Sequence, residues 1–210
     1  MLSWLLVPAA YLLGAVSFAW LAGKAKGVDL RQHGSGNLGA TNAGRVLGTK
    51  WFAIVFLGDV LKGLLPVIAA HLLACPAEQR PWLLLATATA AVLGHIFTCF
   101  HGFKGGKAVA TSLGVVVALV WPVALAAFGV FLIVWLLGWL VLKLGKAGAV
   151  GLSSVCAAIA TPIARLLITP EPWSRLELPI TVFLILLALL VVVKHRSNLQ
   201  KLVAKKATAP

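Results

Sequence analysis

The densest group of chemically useful side chains lies in one glycine-rich stretch, HGSGNLGATNAGR, residues 33–45. Its glycines allow backbone N–H groups to approach an anion closely, and such concave backbone segments bind phosphate. Hydroxyls, amides and a guanidinium are interleaved with the glycines. The hydroxyls, amides and guanidinium belong to Ser35, Asn37, Thr41, Asn42 and Arg45, and Gly36 and Gly39 supply backbone N–H groups between them. The pattern predicts an oxyanion cradle of N–H groups at 35–39, followed by a guanidinium fork for phosphate oxygens.

Two better-known phosphate motifs are excluded by their context. Gly34, Gly36 and Gly39 fit G-x-G-x-x-G, and Asp59 follows about 20 residues later, as in a dinucleotide-binding turn. That turn joins a strand to a helix. Here a basic linker precedes the loop, and Asp59 lies in an apolar helical run, so an NAD site is excluded. FKGGKAVAT is not a P-loop, because Ala108 stands where Ser or Thr would hold magnesium.

Two further polar elements repeat the phosphate-binding chemistry. The second loop contains Lys104, Gly105, Gly106 and Lys107, with Thr111 one helical turn later. The third element, KHRSN, places His195 and Asn198 three residues apart, which puts them on one helix face. We therefore predict candidate catalytic groups at Ser35, Arg45, Lys104, His195 and Asn198, and the remaining polar and glycine positions of the two loops as substrate contacts.

The elements that position these loops belong to a membrane protein. The chain has 210 residues, of which 61% are hydrophobic and only 11% charged, and its mean hydropathy is +1.01. A soluble domain is near half apolar and a quarter charged. The net charge of +13 does not indicate nucleic-acid binding, because such an apolar chain has little soluble surface that could bind a nucleic acid. Cys75, Cys99 and Cys156 are far apart and predict neither disulfides nor a metal site.

Seven hydrophobic segments are candidates to cross the bilayer, which takes about 20 apolar residues. They are residues 4–22, 51–74, 82–100, 107–120, 122–142, 149–168 and 179–193. The stretch 107–142 is divided at Trp121–Pro122, because proline removes a backbone donor. The sequence predicts an all-α polytopic protein with seven transmembrane helices in a single membrane domain, residues 1–210. Five or six spans with one re-entrant segment are the alternative.

The basic residues are distributed unevenly between the two sides of this arrangement. Of the 18 Lys and Arg, 14 fall on one side, including Lys201, Lys205 and Lys206. Arg80, Arg165 and Arg175 fall in loops on the other. Cytoplasmic loops carry the excess of basic residues, which predicts the N-terminus outside and the C-terminus inside. All three polar elements then face the cytoplasm.

Asp59 and Lys62 are ionisable residues inside the second predicted span. Such residues are costly in a bilayer and are usually functional or paired. Their i, i+3 spacing lets one neutralise the other on a single helix face. We interpret the pair as structural support for the site rather than as reacting groups.

The chain resembles the bacterial acyl-phosphate:glycerol-3-phosphate acyltransferases, the PlsY family. The resemblance rests on GSGNLGATNAGR (34–45), GHIFTCFHGFKGGKAVAT (94–111), KHRSN (194–198) and DVLKGLLP (59–66), and it covers essentially the full length. Departures from the family pattern are Ala108 for Gly, Thr98 for Pro, and Gly148 and Gly151 for Arg and Ser. Only Ser154, the second serine of that last stretch, is retained, and the resemblance implies that it contacts substrate.

The resemblance implies transfer of an acyl group from acyl phosphate to the 1-hydroxyl of glycerol 3-phosphate, giving lysophosphatidic acid and phosphate. It implies an enzyme of phospholipid synthesis in the bacterial inner membrane, with its site on the cytoplasmic face, in contact with membrane lipid. No cofactor, metal or nucleic acid is expected. The sequence is compatible with a monomer and leaves the oligomeric state open.

The mechanism that we expect is positioning and charge neutralisation of the two phosphorylated substrates. Arg45 and Lys104 would hold phosphate oxygens, and the general base is either a substrate phosphate or His195. The rival function is a transporter or channel for a phosphorylated solute. Transporters usually place polar groups near the midplane and contain internal repeats, whereas the polar groups here cluster at one surface and no repeat is visible.

Overall fold

The computed structural model describes residues 2–200, and these residues form helices and loops only. Lys201, Lys205 and Lys206, which the predicted charge distribution includes, lie outside the described residues. The α-helices are α1 (Leu6–Ala15), α2 (Phe18–Ala25), α3 (Ala40–Leu47), α4 (Thr49–Leu72), α5 (Arg80–Ile96), α6 (Val109–Leu140), α7 (Lys146–Ile168) and α8 (Leu178–Lys194). Within residues 2–200, five segments are long and apolar enough to span a membrane, and α8 is a shorter apolar helix.

The chain divides into two compact units, one ending at Trp121 and one beginning at Pro122. The predicted bounds of the hydrophobic segments agree with α4, α5, α7 and α8 to within a few residues. A single membrane domain and a total of seven crossings stay predictions.

The first predicted span, residues 4–22, is broken at Val16 and Ser17 into α1 and α2. The backbone groups freed by the break find partners elsewhere. The Val16 carbonyl accepts a hydrogen bond from Lys62 Nζ (2.7 Å), and the Ala15 carbonyl accepts one from Thr98 Oγ1 (2.7 Å). Ser17 caps α2, because its hydroxyl accepts the Trp20 N–H. The break is therefore stabilised by residues far away in the sequence.

The helices of the first unit pack closely through small residues. A side chain on Gly14 of α1 would overlap the Ala91 carbonyl of α5, and one on Gly94 of α5 would overlap the Tyr11 carbonyl of α1. Small residues let helix backbones approach in this way in membrane proteins. Because α4 and α5 also pack against each other and are joined by residues 73–79, the start of α4 and the end of α5 lie at one end of the unit.

Helix α6 is interrupted where the proline predicts a break. Val120 has non-helical dihedral angles (φ −150°, ψ 77°), two residues before Pro122. Proline cannot donate to the carbonyl four residues earlier, which is that of Ala118. His71 Nε2 lies 3.2 Å from this oxygen and takes the place of the missing donor.

The second unit contains the rest of α6, then α7 and α8, which pack together. Arg165 was expected in an outside loop, but it lies in α7 and is only 3% exposed. Its guanidinium forms an ion pair with Glu177 and donates hydrogen bonds to Thr169 Oγ1 (2.8 Å) and Thr181 Oγ1 (3.2 Å). A buried charge is tolerated only when it is paired and hydrogen-bonded in this way.

Candidate active site

The first glycine-rich loop is held in shape by the side chain of Asn42. Asn42 is 1% exposed, and its Oδ1 accepts the Ser35 N–H at 2.8 Å. Its Nδ2 donates to the carbonyls of Leu30 (3.0 Å) and His33 (3.1 Å). Both polar atoms of the Asn42 amide are thus hydrogen-bonded to the protein backbone, which favours a positioning role over the predicted contact with substrate.

Glycine is needed in this loop for conformation and for space. Gly34 and Gly36 adopt φ values of +64° and +71°, in the left-handed region that other residues rarely enter. A side chain on Gly34 would also overlap Asn42 Oδ1. The loop and the hydrogen bonds of Asn42 therefore require each other.

The predicted cradle of backbone N–H groups is smaller than expected. Of the five N–H groups in 35–39, that of Ser35 donates to Asn42, that of Gly36 to His33 and that of Gly39 to Asn37. Within the described residues, no hydrogen bond to a protein acceptor is seen for the N–H groups of Asn37 and Leu38, so these two are the remaining candidates for a ligand. The side chains of Ser35 and Arg45 are exposed, and Thr41 lies half-buried in the first turn of α3.

The turn that leads into this loop is fixed by an exposed ion pair. Asp29 Oδ1 accepts the Arg31 backbone N–H at 3.0 Å, and its carboxylate pairs with the Arg31 guanidinium at 2.9 Å. These hydrogen bonds lower the pKa of the Asp29 carboxyl to about 2, because they stabilise its charged form.

The second loop is bound to the end of α5 through its own backbone. The Gly105 N–H donates to the Ile96 carbonyl (3.0 Å), and the Gly106 N–H donates to the His95 carbonyl (3.1 Å). These two N–H groups are consequently occupied within the protein. The predicted contacts of this loop with phosphate that do not need these N–H groups are those of Lys104, which is exposed, and Lys107, which is half-buried.

The two loops meet each other in the first unit. A Cβ atom on Gly106 would lie 2.7 Å from the Leu38 carbonyl oxygen, closer than carbon and oxygen can approach. The structure thus brings together the two predicted phosphate elements that lie far apart in the sequence.

A buried polar network lies behind the second loop. Lys62 Nζ is 2.9 Å from Asp59 Oδ1, and both side chains are almost fully buried. His95 Nδ1 lies 3.7 Å from the same carboxylate oxygen and 3.1 Å from Thr111 Oγ1. Thr111, a predicted substrate contact, is fully buried and directed at His95. The two residues are paired, and their role as structural support for the site stays a prediction.

His95 is the residue of this network whose importance the sequence did not reveal. It is not among the candidate residues that the sequence analysis names. Its position as the second residue of the motif GHIFTCFHGFKGGKAVAT is a signal that could have found it.

The third predicted element lies in the second unit. His195 is 3% exposed and follows α8 directly. Its Nδ1 is 2.8 Å from the Val191 carbonyl, which can only accept, so Nδ1 carries the proton and Nε2 the lone pair of the neutral ring. Asn198 packs against Gly151, where a side chain would overlap its Nδ2. Ser154 is 2% exposed and donates to the Val150 carbonyl at 2.7 Å.

Two departures from the expected family pattern have a structural counterpart. Gly151, which stands in place of a serine, leaves the space that Asn198 Nδ2 occupies. Ala108, which stands in place of a glycine, adopts φ +62° and is 1% exposed. The chain therefore keeps the left-handed conformation that glycine would allow, with an alanine. Among residues 2–200, no three His, Cys, Asp or Glu side chains are grouped as metal ligands would be.

Comparison with known proteins extends over the whole chain. The family model for glycerol-3-phosphate acyltransferase matches residues 4–205. The chain is 43% identical over 198 residues to glycerol-3-phosphate acyltransferase of Synechococcus elongatus, covering 92% of this chain and 87% of that one. It is 41% identical to the enzyme of the same name from Pseudomonas putida, covering 96% of both chains.

Two solved structures of PlsY, an integral membrane glycerol 3-phosphate acyltransferase, are similar to this chain. The glycerol 3-phosphate form aligns with a TM-score of 0.83 and 37% identity, covering 98% of this chain and 94% of that one. The lysophosphatidic acid form aligns with a TM-score of 0.80 and 36% identity, covering 98% and 93%. The resemblance drawn from the motifs is confirmed: the chain is a multi-pass, all-α integral membrane protein and belongs to the PlsY-type glycerol-3-phosphate acyltransferase family.

Proposed function

We propose that this protein transfers an acyl group from acyl phosphate to the 1-hydroxyl of glycerol 3-phosphate, releasing lysophosphatidic acid and inorganic phosphate. The hydroxyl oxygen attacks the acyl carbonyl carbon, and the bond from that carbon to the phosphate oxygen breaks. The hydroxyl proton leaves with a base, and phosphate carries away the electron pair. The observation that carries this proposal is the meeting of two glycine-rich, cationic loops in the first unit, at Leu38 and Gly106.

Both substrates carry phosphate, and the two loops offer two sets of groups for it. The first loop contributes the Ser35 hydroxyl, the Asn37 and Leu38 N–H groups, and the Arg45 guanidinium, which can bind two phosphate oxygens at once. The second contributes the Lys104 ammonium. Charge neutralisation and alignment by these groups lower the barrier without a covalent intermediate on the protein.

The buried amide of Asn42 acts indirectly in this scheme. It orients the Ser35 backbone and lies within 3.5 Å of the Arg45 guanidinium, so it links two groups of the predicted phosphate site. We expect substitution of Asn42 to disturb both groups together.

The base for the attacking hydroxyl is either a substrate phosphate or His195. The hydrogen bond from Nδ1 to Val191 would leave His195 Nε2 as the nitrogen that accepts a proton. Asn198 and Ser154 stay predicted site residues. If His195 is the base, His195→Ala loses nearly all of kcat, whereas a phosphate base leaves most of it.

We further propose seven membrane crossings with the N-terminus outside, the C-terminus inside, and the site on the cytoplasmic face of the bacterial inner membrane. The kink at Val120 supports two crossings within α6, and α8 supplies the last. The excess of Lys and Arg on the side of the loops supports this orientation. Labelling of single cysteines placed at positions 35 and 171, in sealed inverted vesicles, distinguishes it from the reverse.

The donor is tested with purified, detergent-solubilised protein. Palmitoyl phosphate and glycerol 3-phosphate together should release phosphate, whereas palmitoyl-CoA with glycerol 3-phosphate should give no product. Turnover on the CoA ester would contradict the proposed donor. Arg45→Ala and Lys104→Ala should each weaken turnover, and Arg175→Ala, an exposed cation outside all three polar elements, is the charge-matched control for the solution assay.

A further inference from the structure

The contact between the two phosphate loops depends on a residue that belongs to neither loop. His95 lies in the last turn of α5 and is 6% exposed. Its carbonyl accepts the Gly106 N–H, and the carbonyl of the next residue, Ile96, accepts the Gly105 N–H. The second loop is therefore bound to the backbone of this turn.

The His95 imidazole also limits the space around Gly106. A Cβ atom on Gly106 would overlap His95 Nε2 and lie 2.7 Å from the Leu38 carbonyl oxygen. The space at the Cβ position of Gly106 is thus bounded by both the imidazole and the backbone of the first loop. Only a hydrogen atom fits there, so the edge of the ring limits how the Gly106 backbone can be placed against the first loop.

The ring is fixed from its opposite edge. His95 Nδ1 is 3.1 Å from Thr111 Oγ1 and 3.7 Å from Asp59 Oδ1, which is itself paired with Lys62 at 2.9 Å. The same Lys62 ammonium also binds the Val16 carbonyl at the break between α1 and α2. A chain of buried polar contacts therefore sets the orientation of the imidazole.

We propose that His95 is a positioning residue that sets the separation of the two phosphate-binding loops, with its Nε2 edge as the surface on which Gly106 rests. This inference rests on the proposed function, since it concerns the alignment of that reaction. Reacting groups must be aligned closely, and misplacement by about 1 Å can cost about a hundredfold in rate. His95 touches neither substrate in this account and acts through Gly106.

Two substitutions of His95 test the Nδ1 edge and the Nε2 edge of its ring separately. Asparagine places a polar atom near the position of Nδ1 and lacks the Nε2 edge, whereas glutamine reaches the position of Nε2 and lacks Nδ1. His95→Asn should lower kcat about tenfold with little change in the thermal unfolding midpoint, and His95→Gln should stay closer to the parent. Thr87→Val is the matched control, because Thr87 is fully buried in the same helix and its hydroxyl has no partner among residues 2–200.

The decisive measurement is a double-mutant cycle for phosphate release from palmitoyl phosphate with glycerol 3-phosphate. Gly106→Ala alone should abolish most turnover. Adding His95→Asn removes the contact of the new methyl group with Nε2, the closer of the two, but leaves its contact with the Leu38 carbonyl. The double variant should therefore exceed the product of the two single effects severalfold and still fall below His95→Asn alone. Adding His95→Gln should give no such recovery.

Gly105→Ala supplies the second control. Its methyl group would overlap the His95 carbonyl, which no side-chain substitution removes, so His95→Asn should not rescue it. Purely additive effects of Gly106→Ala and His95→Asn, in kcat and in unfolding midpoint, would overturn the inference. Absence of turnover in the parent protein would refute the proposed function instead, and the cycle would then be read from unfolding midpoints alone.

Discussion

The buried Asp59–Lys62 pair allows a prediction about how much the pair contributes to the stability of the protein. Lys62→Met would leave the Asp59 carboxylate buried without its cation, and breaking a buried pair in this way costs about 3–5 kcal/mol. The Val16 carbonyl would also lose its donor, at a further cost of about 1–3 kcal/mol. Lys62→Met should therefore be destabilised by about 4–8 kcal/mol, which few proteins of this size tolerate.

Removing both charges should be much less harmful than removing one. The double variant Asp59→Leu with Lys62→Met leaves no buried charge, and apolar replacement of a buried pair is often nearly neutral. The unsatisfied Val16 carbonyl remains, so the double variant should lose only about 1–3 kcal/mol. It should be more stable than Lys62→Met alone, with reduced turnover because His95 loses its contact with Asp59.

Unfolding titrations with SDS in mixed micelles give the free energies of the parent, the two single variants and the double variant. The reasoning is refuted if the two single losses simply add in the double variant. It is also refuted if Asp59→Leu alone is harmless, because that would leave the Lys62 ammonium buried without a counter-charge. Thr87→Val, with no charge and no hydrogen bond to lose, should change the free energy by less than about 1 kcal/mol.

The remaining predictions concern one helix break, one backbone strain and one exposed ion pair. His71→Leu should lower stability by about 1–3 kcal/mol in the same titration, because the Ala118 carbonyl loses its donor beside the kink. Ala108→Gly should be nearly neutral, because relief of about 1–2 kcal/mol of left-handed strain offsets the flexibility gained in the unfolded chain. Ala108→Val should cost about 2 kcal/mol or more, and thermal unfolding midpoints measure both effects. The Asp29 pKa of about 2 lies below its ordinary value, so its contribution to stability is complete above about pH 4 and is lost as the pH falls through 2. Asp29→Asn should remove that part of the acid dependence in pH-resolved unfolding curves and leave the neutral-pH profile of turnover unchanged in shape.

The parts of the fold that local sequence determines could be predicted. Apolar runs of spanning length located α4, α5, α7 and α8 closely, and the missing donor of Pro122 located the interruption of α6. The break at Val16 could not be predicted in the same way. It depends on Lys62 and Thr98, which lie far along the chain and become its partners only once the helices pack.

In the candidate site, residue types could be predicted from the sequence, but the geometry of the backbone groups could not. The glycines, hydroxyls and cations of the two loops could be proposed as a phosphate site because phosphate binding needs those groups, and this role stays a prediction. Which N–H groups face a ligand could not be identified. Those of Gly36, Gly39, Gly105 and Gly106 are used internally, since a glycine turn can direct its N–H groups inward or outward. Arg165 was placed in a loop because its ion-pair partner, Glu177, lies just before α8 and the pairing is not visible in the sequence.

The central claim is that the two loops of the first unit bind the phosphates of two substrates for a direct acyl transfer. The most direct measurement follows lysophosphatidic acid and inorganic phosphate in one reaction of the purified protein with palmitoyl phosphate and glycerol 3-phosphate, for the parent, Arg45→Ala and Lys104→Ala. The account predicts equal amounts of the two products, strict dependence on both substrates, and a large loss of kcat/KM in both variants. Phosphate release without glycerol 3-phosphate, or variants with unchanged kcat/KM, would contradict it.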